Sequence, residues 1–196
     1  MSVLMEASDK ELIERHLEGD TGAFALLLDR YLTPIYNFAY RLCGNAEEAQ
    51  DIAQETFIKA WKHIEKFRID DSFKTWIYQI ARNTTIDHLR KKKNIQFTDM
   101  ENGEGENFLI EHTPDVLPLP DELYRRAEEK ELLEKLLDEL PVIYKEVLIL
   151  YYREELNFRE IAEVQGKPVD TVKSQHRRAT MLLRKLIERT PLKNNP

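Results

Sequence analysis

One cysteine, six glycines and no long apolar run are what this 196-residue chain has least of. With Cys43 alone, an intrachain disulfide is excluded, and so is a zinc site built on a cysteine cluster. Cys43 sits among apolar residues and reads as a buried thiol, which a reducing compartment suits. Scarce glycine and long segments repeating at 3.6 rather than 2 residues point to an all-α protein. No segment approaches the roughly 20 apolar residues of a membrane-spanning helix. The N-terminal stretch MSVLMEASDKELIERHLEG carries acids early and no basic flank, so it does not read as a secretory leader. The expectation is a soluble, cytoplasmic chain that is not itself a membrane protein. It has no phosphate-cradling glycine loop and no nucleophile–base constellation, so no catalytic residues, cofactor or enzyme activity are expected. A formal net charge of −7, taken as a sum, argues against nucleic acid. Local sign matters more than the sum, and here the charge is unevenly spread.

The stretch FKTWIYQIARNTTIDHLRKKK, residues 73–93, shows this best. Phe73, Trp76, Ile77, Ile80 and Ala81 fall on one helical face, while Lys74, Arg82 and the run Arg90 to Lys93 oppose Asp87 alone. Trp76 reads as core by its spacing; the spacing leaves Tyr78 open between core and surface. A solvated basic helix end is the plain reading, and it suits the macrodipole. A helix that buries one face and offers cations to a polyanion is the other.

Before it, Ser8 or Asp9 can cap a short first helix with Leu12, Ile13 and Leu17 inward. A second helix over 21–43 carries Phe24, Leu27, Leu28, Tyr31, Ile35, Phe38, Ala39 and Leu42 as its stripe, and Pro34 predicts a kink or break near residues 32–33. A third, over 46–64 and capped by Asn45, turns Ala49, Ile52, Ala53, Phe57, Ala60, Trp61 and Ile64 inward. Its other face carries Glu48, Asp51 and Glu55. Paired carboxylates at this spacing can bind a metal, meet a basic partner, or simply be solvated; with no histidine at ligand spacing, no metal site is expected. Asp71 or Ser72 can cap the fourth helix, and the long helices are expected to pack as an antiparallel bundle.

Residues 94–122 contain eight acids, three prolines and no lysine or arginine, and no helical period persists. They read as a flexible acidic linker, an inert spacer or one whose scattered apolar residues dock on a partner. Beyond it Leu123, Ala127, Leu133, Leu136, Leu137 and Leu140 form a stripe, and Pro141 suits a new helix start. Val147, Leu148, Tyr151 and Tyr152 continue this core. Asn157 with Glu160 makes a capping box; a short helix over 158–165 ends at Gly166, and a longer one follows Pro168. Short helix, glycine turn and longer helix is the outline of a helix-turn-helix. Seven bases against two acids lie between residues 167 and 189. Thr171, Lys173, Ser174 and Gln175 stand where polar and basic groups reach base edges and phosphates, with Arg177 and Arg178 behind them.

The stretches GNAEEAQDIAQETFIKAW, FKTWIYQIARNTTIDHLRKK, LPVIYKEVLILYY and NFREIAEVQGKPVDTVKSQHRRA, in this order, resemble the extracytoplasmic-function (group IV) sigma-70 factors of bacteria. The resemblance covers nearly the whole chain outside the linker. It implies two small helical domains: a region 2-like domain over 1–93, the acidic linker over 94–122, and a region 4-like helix-turn-helix domain over 123–196. Glu48, Asp51 and Glu55 would then grip the β′ clamp helices of core RNA polymerase, whose β flap is a second expected contact. The loop over 67–74 resembles the receiver of a flipped base, and Phe67, Lys74, Arg82, Asn83, Asp87 and Arg90 would meet the melting minus-ten DNA. Thr171, Lys173, Ser174, Gln175, Arg177 and Arg178 would read the minus-thirty-five element, and the linker would thread toward the polymerase active centre. The implied partners are core polymerase, promoter DNA and an anti-sigma factor, membrane-anchored or not, with the free protein a monomer and its use stress-responsive.

Three positions depart from the family pattern. Gln175 and Thr180 stand where arginine is frequent, and His176 where an apolar residue is. His176 reads as a packed or phosphate-facing residue rather than a pH switch. Two other functions compete. A decoy that sequesters an anti-sigma factor ordinarily carries a receiver domain and lacks the basic reading helix, whereas Lys173, Arg177 and Arg178 are present. A metal-dependent helical enzyme would have to use Glu48, Asp51 and Glu55. If residues 82–90 open DNA, Asn83→Ala combined with neutral residues at Arg82 and Arg90 lowers open-complex formation, scored by permanganate reactivity, more than it lowers core binding. Equal loss of both, or of neither, contradicts that assignment.

Overall fold

In the computed structural model of the chain, residues 7–93 and 127–189 are described, and they fall into two compact units. Every regular element among them is helical. The linker and Leu123 lie outside the described residues, as does the side chain of Ala127.

Caps set where the helices of the first unit begin. Helix α1 spans Asp9–Leu17, and its cap is Ser8. The Ser8 hydroxyl accepts from the Glu11 amide at 3.3 Å, and the Glu11 carboxylate accepts from the Ser8 amide at 2.7 Å, a complete capping box. Asp9 is thereby left to accept from Arg30 and from the Tyr31 hydroxyl on α2, Thr21–Cys43, which ties the two helices together. Burial and the Asp9 carboxylate push the Tyr31 hydroxyl well above its usual pKa. Gly19 (φ +104°) and Gly44 (φ +71°) end α1 and α2 in the left-handed region, where a side chain would be strained.

Helix α2 runs through Pro34 without the break its sequence suggests. Proline removes one helical hydrogen bond and costs about 3 kcal/mol in a helix interior. Here Phe24, Leu27 and Tyr31 before it, and Ile35, Phe38, Ala39 and Leu42 after it, are buried on one continuous seam, so both halves are held by the same packing.

Helix α3, Ala46–His63, is capped by Asn45, whose Oδ1 accepts from the Glu48 amide at 3.0 Å. A 3-10 turn, Ile64–Lys66, closes it. Ala49, Ile52, Ala53, Phe57 and Ala60 are buried as expected, but Trp61 is 48% exposed, its ring set against His16 and Phe24. Helix α4, Phe73–Lys93, starts at Ser72, whose hydroxyl accepts from the Thr75 amide at 3.2 Å. Its buried face holds Phe73, Ile77, Tyr78, Ala81, Thr85, Ile86 and Leu89. Tyr78 is fully buried edge-on to Phe38, while Trp76 is only half-buried, so the core role expected of the tryptophan belongs to the tyrosine. The face that packs on α2 and α3 is centred near Ile77 and Ala81, and Trp76 lies at its margin. Thr56 and Thr85 are buried and donate to the Ile52 and Ala81 carbonyls of their own helices, which makes them tolerable in the core.

In the second unit α5, Ala127–Asp138, and α6, Val142–Leu148, bury Leu133, Leu136, Leu137, Leu140, Val147 and Leu148. Pro141 is the cap of α6 rather than its first helical residue. Two buried or half-buried cations are paired across elements: Lys145 with Asp138 at 2.7 Å, and Arg153 with Glu134 at 2.6 Å. A π turn, Ile149–Arg153, follows α6 and gives Tyr151 and Tyr152 to the packing of the last helix. Asn157 caps α7, Phe158–Gln165, through the predicted box: its side chain accepts from the Arg159 and Glu160 amides, and Glu160 accepts from the Asn157 amide at 2.8 Å. Gly166 (φ +64°) turns the chain into α8, Val169–Arg189, completing the helix-turn-helix.

Both tryptophans of the chain lie in the first unit, so their fluorescence reports on that unit alone. Ile77→Ala, at a position with no exposed surface, leaves a cavity. It should cost about 2–5 kcal/mol in a tryptophan-monitored urea titration.

Candidate nucleic-acid interface

The outward face of α3 carries Asp51, Gln54, Glu55, Ile58 and Trp61 at three- and four-residue spacing, all exposed. Asp51 is open to solvent. Glu55 pairs with Lys59 at 2.8 Å but keeps a side chain 57% exposed, and that lysine's hydrogen bond holds its pKa below the usual carboxylate range. Lys59 also donates to Thr84 on α4 at 3.0 Å. Glu48 is different: it turns toward α4 and meets Lys92 and His88. The three carboxylates therefore do not converge. Among the described residues no group of three or more histidine, cysteine or acidic side chains is arranged to hold a metal ion. The sequence reading missed Ile58 and Trp61 on this face. Ile58 stands seven residues after Asp51, and that heptad spacing was the signal that places it there.

Helix α4 presents a second surface. Trp76, Ile80, Asn83, Asp87 and Arg90 follow one another at i, i+4, i+7, i+11 and i+14, grading from half-buried to exposed. Arg82 donates to the Asn83 side-chain oxygen at 3.3 Å, and Arg90 lies 3.6 Å from Asp87. The aromatic end of this stripe is a cluster: Phe67 packs on Phe73 and Trp76 with ring centroids 5.8 and 5.1 Å apart, and Tyr31 packs on Phe73. Phe67 is buried there, so it forms a wall of the 67–72 loop rather than part of its outer surface. Arg68, Asp70 and Asp71 are exposed on that loop, and Lys74 is half-buried at its end. An aromatic wall beside exposed polar groups suits an unstacked base, whose face stacks while its edge is read.

The third surface is α8. Thr171, Lys173 and Arg178 are exposed, and Ser174 and Arg177 half-exposed. Gln175 is not among them. Its side chain is buried with Val172, His176, Ala179 and Leu183, a correction that follows from helical phase, since 175 lies three residues after Val172 and four before Ala179. Thr180 is also buried, its hydroxyl donating to the His176 carbonyl at 2.9 Å. All three positions that depart from the family pattern are thus inside.

His176 is 1% exposed and holds the unit together from within. Its ring lies 4.7 Å from Tyr151, 5.5 Å from Tyr152 and 5.2 Å from Phe158, joining α8 to the π turn and to α7. Burial pushes its pKa down to about 4.

Two family models match the chain: sigma-70 region 2 over residues 27–95 and sigma-70 region 4 over residues 130–183. The ECF RNA polymerase sigma factor SigW of Bacillus subtilis is 39% identical over 183 residues, 92% of this chain and 97% of its own length. The RNA polymerase sigma-H factor of Pseudomonas aeruginosa is 34% identical over 187 residues, 95% and 97% respectively. In fold, CnrH, solved with the cytosolic domain of CnrY, superposes with a TM-score of 0.66 at 23% identity, covering 92% of this chain and 97% of that one. RpoE of Bartonella quintana, solved with the anti-sigma factor NepR, superposes with a TM-score of 0.62 at 23% identity, covering 85% and 97%.

The His176 result has a pH consequence with a fixed sign. Its folded pKa lies below the unfolded value of about 6.5, so its contribution is complete above that pH and is lost as pH falls toward 4. Relative to His176→Phe, the native chain should lose about 1.4 kcal/mol per pH unit across that window, read from amide-exchange protection of residues 172–183. Parallel pH profiles for the two proteins would contradict the neutral, packed imidazole.

Proposed function

The chain belongs to the extracytoplasmic-function sigma-70 factors, and from that membership we propose how its surfaces divide the work of a promoter-specificity subunit. It is a sigma factor of RNA polymerase, in a family that is not one of catalytic enzymes. It acts in the cytoplasm with core polymerase and has no chemistry of its own. Among the described residues no helix is long and apolar enough to cross a membrane.

Residues 1–93 bind core polymerase and handle the minus-ten element, 94–122 connect, and 123–196 read the minus-thirty-five element and meet the β flap. Asp51 and Glu55, with Ile58 and Trp61 beside them, face the β′ clamp helices. A basic partner helix would meet the acids, and the exposed apolar pair would supply the desolvated centre that such contacts need. The 67–72 loop, with the first turn of α4, receives a flipped base against Phe67 and Trp76. Lys74, Arg82, Asn83, Asp87 and Arg90 lie along the opened strand. On α8, Thr171, Ser174, Lys173, Arg177 and Arg178 contact bases and phosphates; Gln175 supports the helix from inside. An anti-sigma factor that covers these surfaces until a stress signal releases it accords with relatives solved in such complexes. The observation that carries this reading is the α4 stripe, because one face runs unbroken from a loop with an aromatic wall to an exposed arginine.

The deciding experiment is run-off transcription with core polymerase on promoter fragments chosen by mapping the transcript starts that appear when the chain is overproduced. Transcripts should require the chain and start at the mapped positions. No dependent transcript together with no core binding would refute the assignment.

A further inference from the structure

Of Glu48, Asp51 and Glu55 on α3, Glu48 is the one the structure withdraws from solvent. Its side chain is 18% exposed, against 57% for Glu55. Its Oε1 accepts from Lys92 Nζ, and its Oε2, buried and otherwise without a hydrogen-bond partner, lies 3.4 Å from His88 Nε2. Lys92 and His88 are one helical turn apart on α4, so a single carboxylate bridges the last two turns of that helix. Its backbone is fixed in turn, because the Glu48 amide donates to the Asn45 cap. The hydrogen bond from Lys92 is the largest reason that the Glu48 carboxyl sits below its usual range.

The placement has an electrostatic reason. α3 and α4 run antiparallel, which brings the positive end of one helix dipole beside the negative end of the other. An acid in the first turn of α3 and a cation in the last turns of α4 each favour their own helix, and joined they tie the two ends together. Leu89 is the last buried side chain of α4 among the described residues, and Arg90, Lys91 and Lys92 beyond it are exposed. By contrast, the Asp87–Arg90 pair is more than half exposed on both sides and lies within one helix, the kind of surface pair that contributes little.

We propose that Glu48 is a positioning residue that anchors the C-terminal turns of α4 to the start of α3, rather than a contact for core polymerase. It holds the Asn83, Asp87 and Arg90 stripe in the one orientation that serves opened promoter DNA. The same contact links the helix that faces the polymerase to the helix that faces the strand. The proposal rests on the sigma-factor reading above and refines it by moving one carboxylate from the polymerase surface to the DNA-opening device.

The test uses the full chain, core polymerase and a promoter mapped as above. Core affinity is measured by fluorescence titration, and opening by permanganate reactivity at saturating holoenzyme. Glu48→Gln should bind core within about twofold of the native chain and open about fivefold less promoter, the scale of one partly screened pair. Asp51→Asn should do the reverse, losing core affinity while its bound fraction opens normally. Glu48→Lys should fail to open DNA, and adding Lys92→Glu should restore opening, which a generally weakened fold would not allow. The proposal is overturned if Glu48→Gln loses core affinity as Asp51→Asn does, if it alters neither readout, or if the charge swap restores nothing. If the native chain itself neither binds core nor directs a transcript, the sigma-factor assignment fails instead, and the two failures are told apart by that control.

Discussion

The antiparallel seam between α3 and α4 is the constraint on which the first unit depends. One helix turns acids and an exposed apolar pair outward; the other turns out a graded stripe from Trp76 to Arg90. On the proposed reading one surface meets polymerase and the other DNA, so the phase of each relative to the other must be fixed. Ile52, Thr56, Ile77, Ala81 and Thr85 fix that phase through packing, and two polar contacts fix it in register: Lys59 to Thr84 near the middle, and Glu48 to Lys92 at one end. Buried apolar contact is non-directional, so it can bring two helices together without choosing among neighbouring registers. Directional polar contacts at defined positions do choose, and the desolvation cost of the charged groups is limited because the Lys59 and Lys92 side chains stay partly in water.

Much of this was legible in the residues. The helix boundaries followed from caps and glycines, since Ser8, Asn45, Ser72, Asn157, Gly44 and Gly166 act through neighbours two to four positions away. The acidic and basic faces followed from spacing. What was not legible depended on which side of a mixed helix finds a partner. Trp61 and Trp76 read as core because they are large and apolar, yet each sits at the margin of its buried face, and Tyr78 fills the centre. Pro34 read as an interruption, but a seam of apolar residues on both sides outweighs one lost hydrogen bond. Glu48 read as one member of an acidic row. Only the fold shows that the row is cut at its first residue, because the lysine that claims Glu48 lies 44 positions away in sequence.

The α8 helix shows the same limit at the level of recognition. Reading residues in order along its first turns places Gln175 beside Ser174 and Lys173 as a contact for DNA. In three dimensions the helix alternates its faces, and Gln175, His176 and Thr180 form part of its inner side. The departures from the family pattern at these positions therefore change how α8 is held before they change what it touches. His176 replaces an apolar residue by a ring that stays neutral in its pocket, packed on two tyrosines and a phenylalanine. With Gln175 inside, the base-reading set proposed for α8 contracts to Thr171, Lys173, Ser174, Arg177 and Arg178. Of these, only the two arginines have the planar fork that can grip a guanine edge bidentately. On that proposal, specificity for the upstream element rests on few side chains, and how α8 is held counts beside their identity. The Gly166 turn, the Asn157 cap and the His176 cluster hold the elements around α8, so on the proposed reading a change of promoter preference can arise from the interior without any change at the DNA surface.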